Sequence, residues 1–183
     1  MSADSAEGVA KFSRFSREEL EGMLEDAALN WLAHDGLWFL AVEERFGMPA
    51  AIDLDANAWE SFTVIEAKRI MKRHGIPPGG GIPALARALG LRLYALINEQ
   101  QIVEQAEDRL VFRMNECRVQ SARRRKGLPE FPCKPVGLVE YSGFALAIDP
   151  RIETRCLGCP PDPEPRDWYC GWEFTLRRVD RTP

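Results

Sequence analysis

The chain has 183 residues, 45% of them apolar, and a formal net charge of −4 from 24 basic and 28 acidic side chains. That balance argues against a general nucleic-acid surface, which needs a basic excess, while the apolar fraction is enough for the core of one domain. No apolar run approaches the roughly 20 residues needed to span a bilayer, and the polar start Met1–Ala10 has no secretory apolar core. The expectation is a cytoplasmic protein that engages neither membrane nor nucleic acid.

Residues 1–15 are expected to be disordered. Ser16-Arg17-Glu18-Glu19 is a capping box, in which the hydroxyl accepts from the N3 amide while Glu19 reaches back. Behind it Leu20, Met23, Leu24, Ala27, Trp31, His34, Trp38 and Val42 recur at helical spacing until Gly47-Met48-Pro49 stops the helix. His34 shares this stripe with Trp31 and Trp38. It is either a satisfied core residue or a polar anchor of a pocket, because a polar group on an apolar stripe costs free energy unless paired. Asp35 points partly elsewhere on the helix.

Asp53-Leu54-Asp55 is expected to cap a second helix over residues 55–74, with Trp59, Phe62, Thr63, Glu66, Ile70 and Met71 on its inner face. Glu66 interrupts that face. It is either paired, with Arg69 or with His34 across a hairpin, or desolvated as an acceptor or general base. Ile76 to Gly81 reads as a hinge or linker. Its three glycines are not a phosphate loop, since no Gly-Lys-Ser/Thr follows. A third helix is expected from Pro83 to about Gln105, carrying Leu85, Leu89, Leu93, Leu96 and Ile97, and then a strand from Arg109 to Asn115. The run Arg123-Arg124-Arg125-Lys126 reads as a solvated face rather than an anion site. Cys117 is a fifth thiol near a metal, a pocket residue or a nucleophile, although no Ser/His/Asp or Cys/His/Asn signature surrounds it.

The last third is organised by four of the five cysteines, Cys133-x22-Cys156-x2-Cys159-x10-Cys170. Cys133 precedes an apolar helical run, Val136 to Ile148. Cys156 ends the strand-like Ile152–Arg155, and Cys159 opens a proline-rich turn. Cys170 lies in the aromatic strand Trp168 to Phe174. A Cys-x2-Cys knuckle with one thiol from a helix start and one from a strand suits a closed tetrahedral zinc site. Lys134, Arg155 and Arg166 stand beside it and would offset its charge. An iron–sulfur cluster, plain burial of thiols and a disulfide pair are the alternatives.

The order strand, helix with a leading Cys, strand ending at a ligand, then strand with Cys-x-aromatic-Glu-Phe resembles the 4-vinyl-reductase domain of phenol-responsive sensors. That resemblance implies a ligand-binding α+β fold over about residues 108–178 and a zinc site at Cys133, Cys156, Cys159 and Cys170. Cys156 stands where the phenol sensors have Glu, and the loop before Cys170 is longer. The L-2-amino-thiazoline-4-carboxylic acid hydrolase-like family has a similar cysteine-rich half. The whole chain also resembles an uncharacterised bacterial and archaeal family through His34 to Phe39, Glu66 to Arg69, Cys117 to Gln120 and Phe131 to Pro135.

The expected architecture is α+β. A helical hairpin and third helix (residues 16–107) pack on a small antiparallel sheet of 4-vinyl-reductase type (residues 108–183), whose C-terminal half zinc locks. The expected function is binding of a small apolar or aromatic molecule by His34, Trp38, Trp59, Glu66 and Tyr141, with homodimerisation open. The alternative is a hydrolase using Glu66, Cys117 or Asp35.

Overall fold

The computed structural model describes residues 11–163 and 166–177, so most of the expected disordered start lies outside the described residues. Helix α1 spans Arg17–Phe46 and opens with the capping box: Glu19 N–H donates to Ser16 Oγ at 3.1 Å and Ser16 N–H to the Glu19 carboxylate at 2.8 Å. Gly47, at φ 83°, makes the corner alone. Helix α2 (Met48–His74) starts at the next residue, with Pro49 in its first turn, where a missing N–H costs nothing. The expected gap before residue 55 is therefore absent, and Asp55 lies inside the helix instead of capping it. Trp31 meets Trp59 and Phe62 at ring-centroid distances of 6.2 and 5.7 Å, so the two helices fold back as a hairpin.

The apolar stripe of α1 is turned differently from expectation. Ala28 and Leu32 are its buried residues, and Trp38 is 70% exposed, with Met23, Leu24 and His34 also outside. A 3.6-residue period identifies a helix, but α1 carries two apolar stripes, and the aromatic contacts of Trp31 decide which one faces inward.

The expected hinge at residues 76–81 is pinned. Gly79 N–H donates to the Ile148 carbonyl at 2.9 Å, Gly81 N–H to Asp149 Oδ2 at 3.0 Å, and Arg151 Nη2 to the Gly79 carbonyl at 3.0 Å. The expected third helix is three elements: α3 (Gly81–Leu89), the single turn α4 (Tyr94–Ile97) and strand β1 (Glu99–Gln105). Gly90 ends α3, and the polar stretch of β1 is extended because it pairs with β2 (Arg109–Glu116). The region expected to be helical thus supplies a strand to the sheet.

After β2 come α5 (Arg118–Arg125), α6 (Lys134–Ile148), β3 (Ile152–Gly158) and β4 (Cys170–Leu176). The fold is mixed α+β, with a four-stranded antiparallel sheet in the order β1-β2-β4-β3. Helix α6 lies between α2 and the sheet, and two glycines let it approach both. A Cβ at Gly143 would stand 2.7 Å from the Thr63 methyl of α2, and one at Gly137 2.7 Å from the Trp172 ring of β4. Tyr141 stacks on Trp172 at 4.7 Å, and Phe112, Phe144, Ile148, Ile152 and Phe174 complete the core. Among the described residues no helix is long and apolar enough to cross a membrane.

Candidate functional site

The four spaced cysteines meet at one end of the sheet. Strand alternation puts Cys156 and Cys170 on the same face as Trp172 and Phe174. Cys133 is the residue at which α6 begins, and Cys159 follows β3. The Cys133 and Cys159 sulfurs are 3.5 Å apart. Hydrogen bonds with Cys133, Cys156 and Cys170 drive the Cys159 thiol far above its ordinary range, and the Cys159 thiol in turn lowers Cys156 to about 7. Among the described residues, however, no three His, Cys, Asp or Glu side chains have the arrangement of a formed metal centre. The thiols of Cys133, Cys156 and Cys170 converge on that of Cys159.

Their surroundings are tied together by hydrogen bonds. Lys134 Nζ sits 2.8 Å from both Asp162 carboxylate oxygens, Asp162 Oδ2 accepts from Cys159 N–H at 3.2 Å, and Lys134 N–H donates to the Pro160 carbonyl at 2.9 Å. The other two flanking cations do not face the thiols as expected. Arg155 pairs with Glu173 at 2.6 Å, and Arg166 donates to the carbonyls of Tyr169 and Asp162.

Beside the thiols lies a cavity of about 520 Å³ between α1, α2, α5, α6 and the sheet. Cys117, Cys133, Cys159 and Cys170 line it, with Trp59, Tyr94, Phe131, Tyr141 and Trp172 as aromatic wall. Three carboxyl groups also face it: Asp35 from α1, Asp55 from α2 and Glu140 from α6. Burial, with the charges of Asp35 and Glu140, lifts Asp55 to about 7, against a smaller pull from a hydrogen bond with Trp59. Burial likewise raises Asp35, opposed by His34, and raises Glu140, opposed by Arg92. The Trp172 indole Nε1 is fully buried and has no hydrogen-bond partner among the described residues.

Arg92 is the cation of this region. Its Nε donates to Glu66 Oε2 at 2.9 Å, and its Nη2 lies 2.7 Å from Glu140 Oε1, an ion pair whose angle is not that of a hydrogen bond. Burial opposes its charge, but Glu140 and Glu66 outweigh that and hold the guanidinium protonated. Trp59, Tyr94, Tyr141 and Phe144 ring it at 4.8–5.7 Å.

The residues singled out from the sequence divide accordingly. Trp59, Tyr141, Asp35 and Cys117 line the cavity. His34 and Trp38 do not; they border a second, more open hollow on the outside of α1 with Trp31 and Asp35. Glu66 is paired, with Arg92 instead of Arg69 or His34. Cys117 is half-buried beside the other thiols, and desolvation pushes it up to about 12, which leaves little thiolate for a nucleophile. The basic run is not uniformly solvated. Arg123 is 5% exposed and makes a two-pronged pair with Glu43 of α1 at 2.6 and 2.9 Å, while Arg124, Arg125 and Lys126 are exposed.

Arg92, Glu140 and Asp55 escaped the sequence reading. Glu140 had a signal, as the lone carboxylate in the apolar run Val136–Ile148. Asp55 was hidden by its resemblance to a cap, and Arg92 by a leucine on either side.

No curated protein and no solved structure matches the chain, and nothing in the comparisons supports the likeness to 4-vinyl-reductase domains or thiazoline hydrolases. The four motif stretches from His34 to Pro135 all fall within one matched span. Over residues 13–176, the chain belongs to a family of unknown function, DUF6125.

Proposed function

We propose that this chain is a cytoplasmic small-molecule-binding protein whose cysteine cluster holds a structural zinc ion. The observation that carries the binding reading is the cavity of about 520 Å³ walled by Trp59, Tyr94, Phe131, Tyr141 and Trp172. Its size and mostly apolar lining, with a few placed polar groups, are those of small-molecule sites. Its walls come from a sheet and helices that are already packed, so little ordering would accompany binding.

The zinc reading rests on the donor set. The 3.5 Å sulfur–sulfur contact is close to the edge of about 3.8 Å that a tetrahedron of 2.3 Å bonds requires. Cys133, Cys156, Cys159 and Cys170 would fill all four positions, so the ion would cross-link α6 to β3 and β4 and leave no coordination site for water. The likeness to 4-vinyl-reductase domains, drawn from the order of elements and the cysteine motif, agrees with this arrangement.

The hydrolase alternative is weaker on these residues. Glu66 is committed to Arg92, Cys117 is held as a thiol, and Asp35 with Asp55 would have to act as acid or base. Native mass spectrometry of protein from its own host, followed by a thermal-shift screen of aromatic fragments with turnover assays on the hits, separates the readings. Stabilisation without product supports the binding protein. Product formation abolished by Asp35→Asn supports the hydrolase, and a library with no hit removes the binding reading.

A further inference from the structure

We propose that the cavity takes a ligand bearing a protonated amine on an aromatic or apolar body, the amine lying among Asp35, Asp55 and Glu140 with Trp59 and Tyr94 as its walls. This rests on the reading of the cavity as a ligand site and says which class of molecule fills it.

The cavity carries uncompensated negative charge. Four carboxyl groups cluster here, Asp35, Asp55, Glu66 and Glu140, and Asp55 senses both Asp35 and Glu140. The buried cation among them is Arg92, and its two pairings at 2.9 and 2.7 Å are with Glu66 and Glu140. Neither Asp35 nor Asp55 has an ion pair among the described residues. The other cations lining the cavity do not supply one: Arg123 is held by Glu43, and Arg118, Arg125 and Lys126 sit at the exposed rim. His34 lowers Asp35, and it does so from the solvent side of α1. Half-buried carboxylates without an ion-pair partner are costly, so a fold that lines a cavity with two of them has room for a cation that the described residues do not provide.

The surroundings select the kind of cation. The walls are aromatic. Trp59 and Tyr94 stack at 5.8 Å, with Trp31 edge-on to Trp59 at 6.2 Å. An aromatic face attracts an ammonium through its quadrupole, while its area buries the attached apolar body. Inside the same wall the protein already surrounds its own guanidinium, Arg92, with four rings.

The test uses the full chain at pH 8 and three matched probe sets, each an amine, an alcohol and a carboxylic acid on one indole, phenyl or cyclohexyl body. Tryptamine, tryptophol and indole-3-acetate form the first set. Calorimetry should give the amine an affinity about tenfold or more above its alcohol in every set that binds, with the acid weakest. In Asp55→Asn, and in Asp35→Asn separately, that preference should shrink while alcohol affinity and the circular dichroism spectrum stay unchanged. An alcohol or acid that equals its amine on the wild-type protein overturns the proposal and leaves the binding site standing. So does a preference that survives both substitutions. If no member of any set binds, the small-molecule reading falls and takes this proposal with it.

Discussion

Helices α1 and α6 are both rich in apolar residues, yet they play opposite parts. Helix α6 is 15 residues long and buries Val136, Gly137, Glu140, Tyr141, Phe144, Ala145 and Ile148 between α2 and the sheet. Helix α1 is twice that length, 30 residues, and buries Ala28 and Leu32. At about 1.5–3 kcal/mol for each large side chain taken from water, α6 is where folding free energy collects, and α1 contributes a modest share as one wall of the cavity. The contrast shows that apolar content does not rank helices by importance. What matters is whether the residues around the whole circumference find partners, and the small residues of α6, Gly137 and Gly143, are what give it two partners at once.

The sharpest way to break this contrast is at the cysteines where α6 begins. With zinc bound, Cys159→Ser should lose the metal and leave the C-terminal half unfolded and insoluble. Structural zinc contributes an apparent ~10–16 kcal/mol in finger peptides, comparable to a whole domain's ~5–15 kcal/mol. Elemental analysis should find one zinc per wild-type chain. A soluble, metal-free variant with an unchanged melting temperature would sink this expectation.

Next in size is the buried ion network. Arg92→Met strands Glu66 and Glu140 without their cation and should cost about 3–5 kcal/mol in denaturant unfolding. Adding Glu66→Gln and Glu140→Gln to that variant should recover much of the loss. A triple variant as unstable as the single one would show that packing around the guanidinium, and not charge, was at stake.

Gly137→Ala and Gly143→Ala each drive a methyl to within 2.7 Å of Trp172 or Thr63 and should cost about 1–3 kcal/mol. A neutral result at either would mean that α6 can slide, weakening its claim to be the fixed element.

Smaller still is the effect of Asp55, and its sign depends on pH. Its folded-state value of about 7 lies above the ordinary 3.8, so between about pH 4 and pH 7 the folded chain keeps a proton that the unfolded chain releases. Stability therefore falls as pH rises through that window and is flat above it. Asp35 and Glu140 are also raised and add to the fall, Arg92 opposes it at Glu140, and Trp59 opposes it at Asp55. Asp55→Asn should leave a shallower slope and gain about 1–2 kcal/mol at pH 8, less than the full value of the shift because the amide is itself desolvated. Parallel melting curves for variant and wild type from pH 5 to pH 8 would contradict it.

Smallest is Trp38→Ala on the outer face of α1, expected within about 0.5 kcal/mol of wild type because the ring is 70% exposed. A larger loss would mean that α1 is more than one wall of the cavity.

How far the sequence was readable follows the same division. Helix starts with local chemistry were plain: Ser16 and Glu19 name the first residue of α1, and the cysteine spacing brought Cys133, Cys156, Cys159 and Cys170 to one corner. The strand β2 was plain too, from Leu110-Val111-Phe112. What could not be read was anything decided by a distant partner. Glu99–Gln105 has a polar, helix-tolerant composition and becomes a strand because β2 offers it an edge. Glu66 could be assigned a neighbour on its own helix, but its partner, Arg92, lies 26 residues on. His34 and Trp38 looked inward because the rotation of α1 is set by Trp31 against Trp59 and Phe62, which no local pattern encodes.

The two-pronged pair between Glu43 and Arg123 ties the C-terminal quarter of α1 to α5, whereas from Arg17 to Ala27 no residue of the helix is buried and only Leu20 is even half-covered. Opening free energy should therefore climb along the helix, and amide hydrogen exchange should run fast over its first three turns and slow sharply near Glu43.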